Sequence, residues 1–364
     1  MSKAAELAAL IGSQSALSNR NLVINGAMQV AQRGDVTGIT GSSYGGPDRF
    51  ELNASSIGTF TISQSSTAPT GFKNSWKVDC TTADASPAAG DLLRVSYRIE
   101  GQDLQQLAYG TSSAKAITLS FYVRSNKTGT YNVQFQQIDN SYKQAVLSYT
   151  ISSADTWEFK SITVPGDVSG LINNDNGDGL ALFWILGAGS TFTSGSERPT
   201  YTAFANGDVA PTQTVNLADN TANEWMITGV QLEVGETATP FEHRSYGDEL
   251  RRCQRYYFHT YGQGNTVGAS FDASYAGMVY FIGTGNFGMA PLNTTFPTEM
   301  RSSPTITFYG YNGTANRITY WNSGSESSYG TVNRNTRQVT GMSFDAGTQT
   351  EDFYSAGMVA DAEL

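Results

Sequence analysis

Period-two alternation runs through the middle of the chain. Ile117, Leu119, Phe121 and Val123 recur at every second position, as do Tyr131, Val133 and Phe135, then Trp157 and Phe159, with turn clusters such as Asn126-Lys127-Thr128-Gly129 between them. Each run is the pattern of a half-buried strand, and many short strands at this spacing indicate a β-sandwich. Leu180 to Leu186 is apolar on both faces, which places it in mid-sheet. From Met226 onward, Thr228, Val230, Leu232 and Val234 are expected on one face and Gln231 and Glu233 on the other, until Gly235 ends the strand. After Pro240 the period changes. Ser245 and Asp248 are spaced as a capping box, and Leu250, Cys253 and Tyr257 recur at helical spacing. Asp248 and Glu249 precede Arg251, Arg252 and Arg255, the charge order that the helix dipole favours. A short helix joining two β domains is the expectation.

The flanks follow the same reading. Ser2 to Ile11 are strong helix formers with Ala4, Leu7, Ala8 and Ile11 on one face, and a helix this short must dock on a partner to persist. An apolar run at Leu22 to Ile24 and a turn at Asn25-Gly26 open the first β domain. Beyond Tyr261, strands are expected at Met278 to Ile282, Pro304 to Tyr309 and Ile318 to Trp321, with a hairpin turn at Tyr311-Asn312-Gly313 and closing strands within Thr331 to Phe344 and Asp352 to Val359. The fold class is therefore all-β. An N-terminal helix and connector span 1–18, a β-sandwich 19–244, a linker helix 245–261 and a smaller C-terminal β-sandwich 262–364.

Composition agrees with this and narrows the function. Only 15% of the residues are charged, while Gly numbers 38, Tyr 19 and Phe 18, a profile that suits a turn-rich all-β protein of two domains. Lys and Arg total 22 against 32 Asp and Glu, a formal charge of −10 with no basic cluster beyond the helix arginines, which argues against a nucleic-acid partner. Cys80 and Cys253 are too few for a disulfide framework and are read as thiols. The N-terminus lacks the apolar core of a signal peptide, and no run approaches the length of a membrane span, so membrane insertion is not expected.

Enzymatic chemistry finds little footing. The two histidines, His243 and His259, flank the expected helix, and Glu242 beside His243 points to the opposite face of an extended chain. No nucleophile elbow, phosphate loop or zinc-binding motif is present, so no catalytic residue, metal or cofactor is assigned. Asn173 to Gly179 spaces its oxygen atoms as a calcium loop does, but Ile185 stands where an EF-hand glutamate belongs, and a β-turn is the reading. Asp345, Glu351 and Asp352, or Asp175 and Asp178, are the carboxylates that a glycosidase reading would use, and they are read as surface acids. Sugar rings present apolar C–H faces and hydroxyl edges, so a glycan site needs flat aromatics beside amides and hydroxyls. Tyr309, Tyr311, Asn312, Tyr320, Trp321 and Tyr329 supply that combination around the last hairpins and are the candidate ligand-binding residues, although alternate aromatics in strands are also ordinary core.

Asn21-Leu22-Val23-Ile24-Asn25-Gly26 with Gln32-Arg33, Asp48-Arg49-Phe50, Ile227 to Gly235 with Pro240-Phe241-Glu242, and Arg252 to Tyr257 form an ordered series. As a set it resembles a motif series of tail-fibre and other virion surface proteins of tailed bacteriophages, and Pro297 to Tyr309 and the terminal Ala360 to Leu364 also resemble segments of such proteins. The resemblance implies a jelly-roll sandwich similar to carbohydrate-binding modules, in a virion protein that is usually a homotrimer. It implies in turn a non-enzymatic tail fibre, made in the host cytoplasm and carried on the virion. The N-terminal segment would attach to other virion proteins or form the trimer seam, and the last domain would bind host cell-surface polysaccharide. A capsid-attached structural or decoration fibre, and a polysaccharide-degrading tailspike, are the alternatives.

Overall fold

The alternating runs form strands, and the strands form two sheets that face each other. The structure is a computed structural model that describes residues 19–261, 267–269, 279–283, 292–310, 312–320, 325–328, 334–335, 337, 339–342 and 352–364. The chain divides into two units, one running to Gln29 and resuming as Asp35–Ser245, the other made of Val30–Gly34 and Tyr246–Leu364. The helix expected over 245–261 is shorter, Tyr246–Gln254 (α1), and falls inside the second unit. Tyr257, expected on the apolar face of that helix, instead opens a strand, because the helix has ended at Gln254. The N-terminal stretch expected to be helical lies outside the described residues.

In the first unit one sheet runs β1 (Val36–Ile39), β4 (Thr59–Ser65), β5 (Ser75–Thr82), β13 (Glu224–Val234), β7 (Ile117–Ser125) and β10 (Glu158–Val164) in spatial order. The other runs β12 (Arg198–Thr202), β9 (Lys143–Ile151), β8 (Gly129–Gln137), β11 (Asp178–Ala188), β6 (Leu92–Glu100), β3 (Glu51–Ser55) and β2 (Ser42–Tyr44). All the pairings are antiparallel, and the inward residues of both sheets form one core. Phe50 lies at its centre, with ring centroids 5.0 Å from Tyr97, 6.1 Å from Trp76 and 6.4 Å from Trp184. β11 lies in mid-sheet, between β8 and β6, as its two apolar faces require. Leu180, Leu182, Trp184 and Leu186 enter the main core, while Ala181, Phe183 and Ile185 on the reverse face pack with Val209 and Ala210 in a second cluster.

The closing strand departs from the expected pattern at one place. The pairing of β13 with β7 shifts between Thr228 and Gln231, and Gly229 lies there at φ +62°. A bulge of this kind advances the chain by one residue without changing strand direction. Trp225 and Ile227 therefore face the core before it and Val230 and Leu232 after it, while Thr228 faces outward and donates to the Asn74 carbonyl at 2.7 Å. Strict alternation had placed Thr228 with Val230.

Beside the bulge, the opening segment of the unit is bonded to its end. Asn21 accepts from the amides of Val23 at 2.9 Å and Leu232 at 3.1 Å through Oδ1 and donates to the Val230 carbonyl at 3.0 Å. Gly26 passes so close that a Cβ there would stand 2.0 Å from the Val230 oxygen. Outward-facing Gln231 and Glu233 hold the returning chain: Gln231 accepts from the Glu242 amide at 2.8 Å, and Glu233 accepts from the amide and hydroxyl of Thr239 at 2.8 and 2.6 Å. Glu242 in turn accepts from the amides of Asn19 and Asn21, and Arg244 donates to the carbonyls of Asn21 and Val23.

The second unit centres on its last strand, β22 (Asp352–Asp361). Along one edge it pairs with β14 (Tyr257–His259) and β15 (Val279–Gly283), and along the other with β17 (Thr305–Tyr309) and β18 (Arg317–Tyr320); β18 also pairs with β19 (Ser325–Ser328). A second sheet consists of β16 (Leu292–Thr295), β21 (Val339–Met342) and β20 (Arg334–Asn335). Both units are thus antiparallel β structure, as the composition and patterning led us to expect.

Candidate functional site

In the second unit β14, β22 and β17 lie side by side, and their register sets a cleft. Tyr257, Asp361 and Thr305 form one cross-strand row, and His259, Val359 and Thr307 form the next. Alternation divides β17 cleanly. Ile306 and Phe308 are buried on one face, while Thr305, Thr307 and Tyr309 line the cleft on the other. On β22 Met358 and Ala360 are buried, and Val359, itself buried, and Asp361 line the cleft. Ser302 and Ser303 add two hydroxyls at the rim, and the open volume is about 770 Å³.

Arg33 gives this cleft its charged wall. Its guanidinium lies 3.7 Å from the centre of the Tyr257 ring, a cation–π contact, and pairs with Asp361 Oδ2 and Glu363 Oε1 at 3.1 Å each. Gln32 fixes the segment by donating to the Tyr257 carbonyl at 2.9 Å. From the other side Arg301 donates to the carbonyls of Ala362 and Glu363, both at 2.8 Å, so the final residues are clamped between two arginines. The Glu363 side chain is almost buried, whereas that of Asp361 is 42% exposed and remains accessible from the cleft.

Tyrosines and a histidine line the rest of the neighbourhood. The Tyr261 ring meets that of Tyr309 edge-on at 6.4 Å, and burial raises the phenol of Tyr309 and pushes that of Tyr261 up to about 12. Burial, with the Arg33 charge adding to it, lowers His259 below its ordinary range against the opposing hydrogen bonds of the backbone at Tyr261 and Gln32. These groups stay neutral near pH 7. The guanidinium that lines the cleft is already engaged by two carboxylates, so the cleft suits an uncharged polyhydroxyl ligand better than an anionic one.

The sequence-derived candidates divide unevenly on this frame. Tyr309 is in the cleft; Asn312 is exposed in the turn after β17, where Gly313 at φ +78° donates to the Gly310 carbonyl at 2.9 Å. Tyr320 ends β18. Tyr311, Trp321 and Tyr329 lie outside the described residues. Arg33, Thr305, Thr307, Asp361 and Glu363 were not among the candidates. Their signal was the alternation in Pro304 to Tyr309 and in Ala360 to Glu363, which shows a polar face but not that two such faces adjoin.

The other places weighed for chemistry have structural occupations. Asp175 Oδ1 accepts from the Gly177 amide at 2.8 Å, the hydrogen bond of an Asx turn, and Asp178 pairs with Arg98. His243 packs at 5.3 Å from Phe72 and 4.9 Å from Phe241. Cys80 and Cys253 are buried and form no disulfide. Asp345 and Glu351 lie outside the described residues. No described helix is long and apolar enough to cross a membrane.

No protein-family model matches the chain, and no curated protein matches its sequence. Solved structures do align with it. The enzymatically active domain of tailspike protein 4 of bacteriophage CBA120 aligns at 10% identity and a TM-score of 0.32 over 59% of this chain and 21% of its own. The match thus spans about a fifth of that domain's length. The family 11 carbohydrate-binding module of a cellulosomal cellulase of Clostridium thermocellum aligns at 12% identity and a TM-score of 0.29, over 56% of this chain and 99% of its own. An endo-1,4-β-D-xylanase of Clostridium thermocellum, complexed with xylohexaose, aligns at 10% identity and a TM-score of 0.31, over 62% and 30%. At such scores the likenesses carry no argument about ligand or partner.

Proposed function

We propose that the chain is a non-enzymatic fibre protein of a phage virion, trimeric, that binds a neutral glycan of the host surface through the cleft of its second unit. The observation that carries the binding is the face shared by β17 and β22. Thr305, Thr307, Ser302 and Ser303 offer hydroxyls that both donate and accept, Asp361 offers a carboxylate, and Tyr309 offers a ring edge, and of these Thr305, Thr307, Tyr309 and Asp361 stand on a backbone fixed by sheet pairing. The motif resemblance supports the virion setting. Asp361 and Glu363 are both engaged by Arg33, an arrangement that builds a wall and leaves neither carboxylate poised to attack an anomeric carbon or to protonate a glycosidic oxygen. That arrangement supports binding without hydrolysis at this cleft. Three sites on one axis would make a weak single site sufficient, since linked binding raises apparent affinity by about a hundredfold or more where geometry allows.

The test is direct. The purified chain is applied to an array of bacterial surface glycans beside Tyr309→Ala and Asp361→Asn, with thermal melts as controls. Wild type is expected to retain neutral glycans, and the variants to lose them with melting unchanged. Equal binding by the variants refutes the cleft as the site. A monomer mass by light scattering at micromolar concentration refutes the trimer, and release of reducing sugar refutes the non-enzymatic assignment.

A further inference from the structure

The first unit carries five rings in mutual contact on the outer face of its β4–β5–β13–β7–β10 sheet, and neither the core nor the cleft accounts for them. Tyr122 on β7 and Phe159 on the edge strand β10 are register partners with centroids 5.1 Å apart. Phe72 continues the row at 5.5 Å from Tyr122, and Phe241 and His243 cap it at 5.0 and 5.3 Å from Phe72. The rings are not core. Phe159 is 50% exposed, Tyr122, Phe72 and Phe241 are half-buried, and His243 is exposed.

The backbone is shaped around them. A Cβ at Gly229 would stand 2.7 Å from Phe72 Cζ and 3.0 Å from Tyr122 Cδ2, so the bulge with its left-handed glycine provides the floor on which two rings lie. Bulges next to functional surfaces commonly re-aim side chains in this way.

What adjoins the rings indicates the occupant. Across the same face, Lys77 pairs with Asp79 at 2.8 Å and Glu224 at 2.9 Å, and Arg124 pairs with Glu224 and, at 2.8 Å, with Asp155. A protein partner burying the rings would also have to desolvate this ion network, which is costly. A sugar chain would not, because its hydroxyls replace the water that the ions already hold while its C–H faces cover the rings.

We propose that this face is a second glycan-binding site, in which Phe159 and Tyr122 stack on a neutral sugar chain and the Arg124–Glu224–Lys77 network takes its hydroxyls. It belongs to a different unit from the cleft and does not depend on it.

The experiment is affinity electrophoresis of the full chain in native gels containing soluble β-glucan, xylan, galactomannan or dextran. Wild type is compared with Phe159→Ala, Phe159→Trp and the cleft variant Tyr309→Ala, with light scattering on each. Phe159 is half exposed on an edge strand, so its removal leaves the fold intact. Retardation of wild type by at least one polysaccharide, a roughly fivefold or greater weakening in Phe159→Ala and recovery in Phe159→Trp support the site. The proposal is overturned if no gel retards wild type or if Phe159→Ala behaves as wild type. It is equally overturned if that variant only dissociates a multimer, which makes the face a subunit contact. Loss confined to Tyr309→Ala leaves the cleft reading standing and removes this one; loss confined to Phe159→Ala does the reverse.

Discussion

Replacing Gly229 by alanine tests the bulge and the ring platform together. At φ +62° a Cβ crowds the following carbonyl, which costs about 1–2 kcal/mol. The same Cβ would approach Phe72 Cζ to 2.7 Å, so the Phe72 ring must move off Tyr122, forfeiting a contact of about 0.5–1.5 kcal/mol. Against these stands the stiffer unfolded chain of alanine, a gain of about 0.4–1 kcal/mol. The net expectation is a loss of about 1–2 kcal/mol, or about 3–6 °C in Tm for a domain of this size. Urea unfolding followed by tryptophan fluorescence reports it well, because Trp76, Trp184 and Trp225 are fully buried in this unit. Gly229→Asn separates the two causes. Asparagine tolerates the left-handed region but still brings a Cβ, so a loss equal to that of alanine would assign the cost to the rings, and a much smaller one to the backbone. An alanine variant within about 0.5 kcal/mol of wild type would refute the reasoning, since neither cost would then be real.

Three further outcomes are expected. Burial opposes the Asp167 carboxylate, but hydrogen bonds from the Ser169 amide and hydroxyl, Lys143 and Gln137 outweigh it and hold its pKa below the ordinary range. The stability this confers is present above the unfolded value near 4 and is lost as pH falls through the folded one, and Asp167→Asn should flatten that acid limb in pH-dependent melts. His259 is lowered chiefly by burial, so its contribution is full above about pH 6.5 and lost as pH falls through its folded value; His259→Gln should remove that dependence from the melting of the second unit. Trp184→Ala should cost the first unit about 3–5 kcal/mol in chemical denaturation, because the ring is fully buried between Phe50 and Phe121, and a loss below about 1 kcal/mol would contradict that packing.

What the sequence disclosed and what it hid follow from the range of each signal. Strands β7, β8 and β11 were legible because their inward residues repeat locally, and β11 announced its central place by being apolar on both faces. Thr228 was misplaced because a one-residue bulge leaves no trace in composition, only a glycine that turns and strands share. Phe159 illustrates the opposite error. Alternation with Trp157 marks a strand but not which face is wet, and the inward residues of β10 are Ile162 and Val164. The cleft was hidden by distance along the chain. Arg33 meets Tyr257, Asp361 and Glu363 through tertiary structure alone, and threonines, serines and acids on a strand look like any solvated face until another strand is laid beside them. The aromatic hairpins drew attention because tyrosine and tryptophan are conspicuous residue by residue.

Five of the residues that carry the phage resemblance in the first unit have a structural task there. Asn21, Gly26, Gln231, Glu233 and Glu242 join the first segment of the sandwich to its last. Specificity must then come from surfaces those residues leave alone. Glu242→Ala examines this directly. Its carboxylate accepts from the Asn19 and Asn21 amides and lies 3.5 Å from the Arg244 guanidinium, whose side chain is only 7% exposed. Removing it takes the acceptor from the part-buried Asn21 amide and a carboxylate from beside the buried Arg244 guanidinium, at a cost of about 1–3 kcal/mol. Hydrogen exchange should locate the damage: the Asn21 amide should lose protection, while the Leu22 amide, bonded to the Leu232 carbonyl at 2.8 Å, keeps it. Glycan binding by the second-unit cleft should be unchanged in the same variant. Undiminished protection at Asn21 would mean that the carboxylate does not hold the opening segment, and the closure argument would fail with it.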